Sequence, residues 1–258
     1  MTKTMTVFLI NLDRSNDRLI SITESLNHLS ISFDRVSAVD ANLISPEELY
    51  SCVHTPSLNY PRVLTKGEIA CFKSHQICWQ KLVNSNDDWA IILEDNCEFA
   101  KASKEYLNSL DWIPSNCELI HLSYTVNKLF YQDEIKLQDN NSLIRTECSS
   151  PMGTSAYAIS RNAAQRALEL SQTISEPVDN FLFGMFSDFA KEVPCWRTKV
   201  CAIRRADVTT VITGRVREKS ASKHSSLIAF HPLRLLQKIR ISIRRHQLRK
   251  IHQIWENQ

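Results

Sequence analysis

Glycine is scarce in this 258-residue chain, which contains four glycines in all. Neither of the glycine-rich phosphate-binding motifs, G-x-G-x-x-G and G-x-x-x-x-G-K, occurs in it. These motifs depend on glycine so that backbone amides can approach a phosphate closely. Little room is therefore left for a phosphate-binding loop of the Rossmann or P-loop type.

Signals for structural zinc, secretion and membrane spanning are also lacking. The eight cysteines form no C-x-x-C pair and no Cys/His cluster at zinc spacing. The apolar stretch after Lys3 is interrupted by Asn11 and Asp13 before a signal-peptide core could form. No run approaches the roughly 18 apolar residues of a membrane-spanning helix. We expect a cytoplasmic protein with free thiols.

The positive charge is concentrated at the end of the sequence. The net charge is +3, yet residues 231–258 contain seven Lys/Arg and one acid, Glu256, so the remainder is mildly acidic. This distribution argues against nucleic acid as a partner and for a tail that binds an anionic membrane surface. Leu235, Leu236 and Ile239 begin an apolar helical stripe, which would equally suit packing on the body or a homodimer.

The order of predicted elements indicates an α/β fold with a mostly parallel central sheet. Apolar runs at 6–12 and 89–93 predict buried strands, and helical spacing follows the first of them. Thr65 and Glu68 form a capping box that opens another helix. Residues 124–148 suggest a hairpin or a flexible loop. We predict one catalytic domain over 1–226 and a basic amphipathic helical tail over 227–258.

Acidic residues follow the most convincing strand directly, as Glu94-Asp95-Asn96. Ligands of open α/β sheets collect at the carboxyl ends of strands. Neighbouring oxygen ligands there suit Mg²⁺ or Mn²⁺, which would bridge the diphosphate of a nucleotide. A pair of solvated loop acids is the alternative interpretation.

The first strand ends in a similar polar group, Asn11-Leu-Asp13-Arg14, with Arg18 one helical turn later. Asparagine and aspartate can hydrogen-bond a base or ribose, and arginine can bind a phosphate with two parallel hydrogen bonds. Helix capping and a surface ion pair would account for the same residues.

Several motifs together resemble glycosyltransferase family 25, in that family's order from about residue 5 to 185. They are residues 7–18, Ser37-Ala-Val-Asp40, residues 64–71 with Ser74-His75, Ile92-Leu-Glu-Asp-Asn96, Gly153-Thr-Ser-Ala-Tyr157 and Pro177-Val-Asp179. The resemblance implies a GT-A-like, single Rossmann-type domain. It also implies an inverting transfer, usually of galactose from UDP-galactose to lipopolysaccharide or lipooligosaccharide.

The resemblance also assigns candidate site residues. Metal ligation falls on Glu94, Asp95 and Asn96, with Asp95 essential for catalysis. Nucleotide-sugar binding falls on these residues: Asn11, Asp13, Arg14, Arg18, Asp40, Ser74, His75 and Glu94. The family usually has Glu-Asp-Asp, so Asn96 removes a charge and puts the need for Mn²⁺ or Mg²⁺ in doubt.

An inverting transfer needs a base that takes the proton of the acceptor hydroxyl. Asp179 is the candidate, and its alternative role is a first-turn acid favoured by the helix dipole. Glu68 is a second catalytic candidate, although the capping box explains it equally well. For Ser74 and His75, a helix-surface role competes with contacts to the donor or acceptor.

The sequence therefore predicts a β-galactosyltransferase that acts on a lipid-linked oligosaccharide at the inner face of the bacterial inner membrane. Two alternatives stay open. One is a degenerate family member that serves as a membrane-attached scaffold, and the other is the same enzyme class with a different UDP-hexose.

Overall fold

The computed structural model describes residues 5–47, 60, 63–137, 141–147, 153–206, 239 and 241–256. The strands are β1 Met5–Asn11, β2 Asp34–Ser37, β3 Trp89–Glu94, β4 Cys97–Phe99, β5 Leu119–His121, β6 Leu129–Lys136, β7 Ser142–Thr146, β8 Ala156–Ser160, β9 Cys195–Thr198, β10 Val200–Cys201, β11 Ile203–Arg205, β12 Arg249–Ile251 and β13 Ile254–Trp255. The helices are α1 Asn16–His28, α2 Lys66–Asn84, α3 Ser103–Asn108, α4 Arg161–Leu170, α5 Val178–Phe183 and α6 Asp188–Glu192.

A nine-stranded sheet organises the protein, with strand order β12-β6-β7-β9-β5-β8-β3-β1-β2. β1 runs parallel to both β2 and β3, and β5 runs parallel to β9. β8 is antiparallel to β3 and β5, and β6 and β7 form the hairpin that was one of two interpretations of residues 124–148. The predicted α/β class is confirmed, and the sheet is mixed, with the parallel β2-β1-β3 group at one end.

Helices cover both faces of this parallel group. Along β1, Val7 and Leu9 belong to the apolar cluster on the side of α1, whereas Phe8 and Ile10 belong to the cluster on the side of α2. Because successive side chains of a strand point to opposite faces, a continuous apolar run is required when both faces are covered. This explains why β1 and β3 could be recognised from sequence.

The N-terminus of α2 has the predicted capping box. The Thr65 side chain accepts a hydrogen bond from the Glu68 backbone amide, and the Glu68 carboxylate accepts one from the Thr65 amide at 3.0 Å. The cap fixes where α2 begins, so the residues of its first turns face the carboxyl ends of β1 and β3.

The end of the chain differs from the predicted helical tail. Residues 241–246 are helical, but Arg249–Ile251 then pairs antiparallel with β6, and Ile254–Trp255 pairs with β10. The Gln253 side chain is buried and donates to the Thr198 carbonyl at 2.8 Å. Backbone pairing and this anchor outweigh the helical spacing of the apolar residues. The boundary predicted at 226/227 lies outside the described residues, as do Leu235 and Leu236.

None of the helices in the described part of the chain combines the length and the apolar character that a membrane span requires.

Candidate active site

The ends of β1 and β3 meet at a central cleft on one edge of the sheet. Ile10 is opposite Glu94 in the parallel register, and the Asp95 amide donates to the Ile10 carbonyl at 3.2 Å. The polar groups that follow the two strands are therefore neighbours. The cleft is lined by residues of both turns and by parts of α2, the loop before β8 and the start of α5.

Asp95 is held from both sides. Asn11 Nδ2 donates to its Oδ2 at 2.8 Å, and Arg18 Nη1 lies 3.2 Å from its Oδ1. Asn11 is itself buried, and Arg35 Nη2 donates to its Oδ1 at 3.0 Å. Because both ends of the Asn11 amide are engaged, the orientation of the Asp95 carboxylate is set by β1, β2 and α1 together.

Asp13 lies outside this group. Its carboxylate is 72% exposed and binds Arg35 Nη2 at 2.6 Å and the Ser37 hydroxyl at 2.8 Å. These two hydrogen bonds lower the pKa of Asp13 below its ordinary value. The structure does not place Asp13 among the residues that line the cleft.

Arg14 and Asp40 form an ion pair at the cleft rim, with 2.6 Å between Arg14 Nε and Asp40 Oδ2. This hydrogen bond, together with one from the Asn42 backbone amide, lowers the pKa of Asp40. The guanidinium of Arg14 lines the cleft, while Asp40 supports it and the turn that follows.

Glu94 is the centre of a buried network. One carboxylate oxygen, Oε1, accepts a hydrogen bond from the Thr154 hydroxyl and lies 3.6 Å from His75 Nε2. The other, Oε2, accepts from Asn96 Nδ2 at 3.2 Å. Burial acts to raise the pKa of Glu94, but the contact with His75, the Thr154 hydroxyl and the charge of Arg205 outweigh it, so the pKa is lowered.

His75 and Trp79 meet at the hydroxyl of Tyr157. This hydroxyl is 2.9 Å from both Trp79 Nε1 and His75 Nδ1, and the three side chains are fully buried. Trp79 can only donate, so the tyrosine oxygen accepts from it. The second ring nitrogen of His75, Nε2, faces Glu94.

Ser74 and Glu68 also line the cleft, with their side chains engaged in the fold. The Ser74 hydroxyl donates to the Ala70 carbonyl at 2.8 Å and accepts from the Val39 amide at 2.9 Å. Glu68 Oε2 accepts from the amide and hydroxyl of Thr65. The contacts of Glu68 are those of the predicted capping box. The helix-surface role considered for Ser74 and His75 is wrong, because both side chains are buried between α2 and the sheet.

Asp179 faces the acidic turn from the other side of the cleft, in the first turn of α5. It is 5% exposed and accepts hydrogen bonds from the amides of Gly153, at 3.3 Å, and Asn180, at 2.9 Å. Gly153 has a φ of +75°, which strains any residue with a β-carbon. His121 Nε2 lies 2.9 Å from the Gly153 carbonyl, so both the N–H and the C=O of this glycine have side-chain partners.

A family model described as "Glycosyltransferase family 25 (LPS biosynthesis protein)" matches residues 4–182. The chain belongs to glycosyltransferase family 25. The match includes every candidate site residue named from the sequence. The mixed sheet, with the acidic turn at the end of β3, agrees with the α/β fold class that the resemblance implied.

Three relatives show the range of family 25 proteins to which the chain is similar. It is 28% identical to procollagen galactosyltransferase 2 of Mus musculus, over 70% of this chain and 30% of the relative. It is 28% identical to the lipooligosaccharide biosynthesis protein lex-1 of Haemophilus influenzae, over 49% and 45%. A probable inactive glycosyltransferase 25 family member 3 of Bos taurus is 29% identical, over 72% and 32%.

The chain therefore spans less than half the length of each of these relatives. Among solved structures, a glycosyltransferase involved in the glycosylation of the major capsid of PBCV-1 matches with a TM-score of 0.48 and 9% identity. The match covers 80% of this chain and 94% of that one.

The acidic turn of this family 25 site offers oxygen atoms that could bind a cation. Asn96 Oδ1 is buried and accepts no hydrogen bond from the described part of the chain. An amide oxygen left without a donor, next to the carboxylates of Glu94 and Asp95, fits an oxygen-preferring divalent cation. The predicted ligand set is therefore compatible with Mn²⁺ or Mg²⁺.

The spacing of the cysteines in the sequence did not reveal a second group of possible metal ligands. Donor atoms of Cys71, His75 and Glu94 lie within 4.8 Å of one another. Cys71 and His75 are four residues apart on α2, and Glu94 comes from β3, so no local sequence spacing shows the complete set.

Other site residues were also missed. Thr154 and Tyr157 lie in a family motif, but nothing in the motif indicated that their hydroxyls support Glu94. Arg35 gave no signal because it lies in a four-residue strand. Arg205 lies beyond the family match, and the structure alone brings it to the cleft.

Proposed function

We propose that the protein is an inverting galactosyltransferase that transfers galactose from UDP-galactose to a lipid-linked oligosaccharide. The observation that carries this proposal is the fixed acidic turn, Glu94-Asp95-Asn96, beside the polar end of β1 in a family 25 fold. The galactosyl and lipooligosaccharide names of relatives support the choice of donor and acceptor.

The donor diphosphate would lie between the β1 turn and the acidic turn. Asn11 and Arg18 hold Asp95 there, and Thr154 and His75 hold Glu94. A divalent cation, held by Glu94, Asp95 and Asn96, would supply charge for the leaving diphosphate. Positioned charge of this kind favours the transition state because the negative charge of the diphosphate grows as it leaves.

Asp179 would act as the base. The acceptor oxygen bonds to the anomeric carbon from the face opposite the diphosphate, and the hydroxyl proton passes to the Asp179 carboxylate. The bond from the anomeric carbon to the phosphate oxygen breaks, and UDP leaves with the electron pair. The inverted configuration follows from this single displacement.

The test is a donor screen with product analysis. The protein should release UDP from UDP-galactose and extend a lipooligosaccharide acceptor, and Asp95→Ala should abolish both reactions without lowering the melting temperature by more than a few degrees. Asp111→Ala, which changes an exposed carboxylate outside the cleft lining, is the control and should retain the activity. Turnover by Asp95→Ala would remove Asp95 from the mechanism, and preference for another UDP-hexose would replace galactose.

A non-catalytic scaffold is the second candidate. It is favoured by Asn96, which lacks the charge usual in the family, and by the engagement of both Asp95 oxygens within the protein. One relative, from Bos taurus, is named a probable inactive member of family 25. If neither UDP-sugars nor Mn²⁺ raise the melting temperature, the scaffold is supported, because a ligand at 100 times its Kd stabilises by about 2.7 kcal/mol.

Attachment to the cytoplasmic membrane surface belongs to the same proposal. Arg249 and Lys250 are exposed on the edge strand β12, and the tail carries most of the excess positive charge. Anionic lipid would bring the cleft close to a lipid-linked acceptor.

A further inference from the structure

Arg205 is fixed beside the acidic turn by the backbone. It ends β11, which pairs antiparallel with β4, so that Arg205 is opposite Cys97. The amide of the next residue, Ala206, donates to the Asn96 carbonyl at 2.7 Å. The main chain at Arg205 is therefore tied to the turn that carries Glu94 and Asp95.

Arg204 and Arg205 have opposite orientations and different partners. Arg204 Nε lies 2.6 Å from Glu98 Oε2, and its guanidinium lies 4.7 Å from the centre of the Trp255 ring, away from the cleft. Arg205 lines the cleft and is exposed. This alternation follows from the period of two along a strand.

The three cleft arginines differ in what neutralises them. Arg14 is paired with Asp40, and Arg18 is paired with Asp95. Across the described residues, Arg205 has no carboxylate oxygen within ion-pair distance, and its charge acts on Glu94 only through space. The Glu94 oxygens are already engaged by Thr154 and Asn96.

We propose that Arg205 binds the diphosphate of the donor and neutralises the departing UDP. The inference rests on the proposed transferase function and adds a residue that the family match does not include. A guanidinium forms two parallel hydrogen bonds with phosphate oxygens, and Arg205 is exposed and has no ion pair within the described ranges that ligand binding would break. The contact strengthens as negative charge collects on the leaving group.

The test compares UDP with uridine, which lacks the diphosphate, by isothermal titration calorimetry. Arg205→Gln should weaken UDP binding by about 10- to 100-fold, in the range of a hydrogen bond to a charged group, and leave uridine binding unchanged. Arg205→Lys should recover part of the loss because the charge is kept. Arg204→Gln, the matched control, should bind UDP within about twofold of the wild type, since its partner Glu98 is outside the cleft.

The outcomes separate this inference from the proposed function. If the wild type binds UDP and Arg205→Gln binds it equally well, the Arg205 proposal is wrong and the transferase proposal stands. If Arg205→Gln loses UDP and uridine binding together, Arg205 shapes the cleft through Glu94 and does not bind phosphate. If the wild type binds neither UDP nor any UDP-sugar, both proposals fail.

Discussion

Tyr157 connects the apolar core to the acidic turn through the side chains of Trp79 and His75. Its hydroxyl accepts from Trp79 and lies 2.9 Å from His75 Nδ1, and His75 Nε2 lies 3.6 Å from Glu94 Oε1. The acidic end of this series of contacts lies in the cleft, whereas the Trp79 indole, on the buried face of α2, belongs to the largest core cluster. A change in the core therefore reaches the carboxylate without any change in the cleft itself.

Tyr157→Phe should weaken both stability and catalysis. The buried Trp79 N–H would lose its acceptor, which costs about 1–3 kcal/mol, and His75 Nδ1 would lose the hydrogen bond that orients the ring toward Glu94. Denaturant unfolding and steady-state kinetics would show a lower free energy of unfolding and a lower kcat with a smaller change in KM. Tyr131→Phe, in a separate cluster, is the control. An unchanged kcat would show that His75 does not orient Glu94.

Asp179→Asn tests the base. Asparagine keeps an oxygen that can accept from the Gly153 amide but cannot take the acceptor proton. We expect kcat to fall by about 10²- to 10⁴-fold while UDP binding stays close to the wild type. The melting temperature should drop by a few degrees, because the asparagine amide has one oxygen for the backbone amides of Gly153 and Asn180. Asp188→Asn, at the corresponding first turn of α6, should leave kcat unchanged. A loss of less than threefold in Asp179→Asn would assign the base to another residue.

At the scale of elements, Glu176, in the segment that precedes α5, makes the stability of the folded protein depend on pH. Burial, followed by the charges of Asp188 and Asp179, raises the pKa of Glu176 to about 7. A carboxyl group with a raised pKa binds its proton more tightly in the folded state. Its contribution is complete below the unfolded pKa and is lost as the pH rises through the folded pKa.

Glu176→Gln should therefore flatten the pH dependence of stability. Between about pH 4.5 and 7 the wild type should lose up to about 3 kcal/mol relative to the glutamine variant, which has no proton to release. Urea unfolding at several pH values measures this difference. Glu169→Gln is the control, because the pKa of exposed Glu169 is lowered and the group stays ionised over this range. Parallel pH profiles for wild type and Glu176→Gln would contradict the prediction.

The elements that the sequence predicted correctly have strong local signals. β1 and β3 are continuous apolar runs, and α2 begins at a capping box. β11, β12 and β13 are two or three residues long, and β12 is Arg-Lys-Ile, so neither length nor period marks them. β11 and β12 are positioned by backbone pairing with strands more than a hundred residues earlier, and β13 by pairing with β10. Local sequence patterns carry no information about such distant pairing.

The site was predictable to the same extent. Asn11, Arg18, Glu94 and Asp95 follow recognisable strands, and the structure brings them together. Asp13 was predicted in the cleft as well, but it lies at the surface. Arg35 and Ser37, on the neighbouring strand β2, hydrogen-bond its carboxylate there. Which member of a polar turn enters the cleft depends on side chains from another strand, which the turn sequence does not specify.

At the scale of the whole molecule, the acidic turn lies at the cleft, whereas the excess of Lys and Arg lies in residues 231–258. Arg249→Gln combined with Lys250→Gln should weaken binding to vesicles containing anionic lipid by about tenfold or more, at about 1 kcal/mol for each basic residue. Co-sedimentation with anionic and neutral vesicles measures this. Lys101→Gln with Lys104→Gln, two lysines outside the tail, is the matched control. Equal binding of both double variants would remove the tail from membrane attachment.

The pairing of Arg249–Ile251 with Leu129–Tyr131 also affects how the protein is made. During synthesis, the β6–β7 hairpin leaves the ribosome more than a hundred residues before its outer partner, so Leu129, Phe130 and Tyr131 spend that interval with an unpaired strand edge. An open edge can pair with another nascent chain. We therefore expect release of the last segment to be the step that ends the period of greatest risk of aggregation.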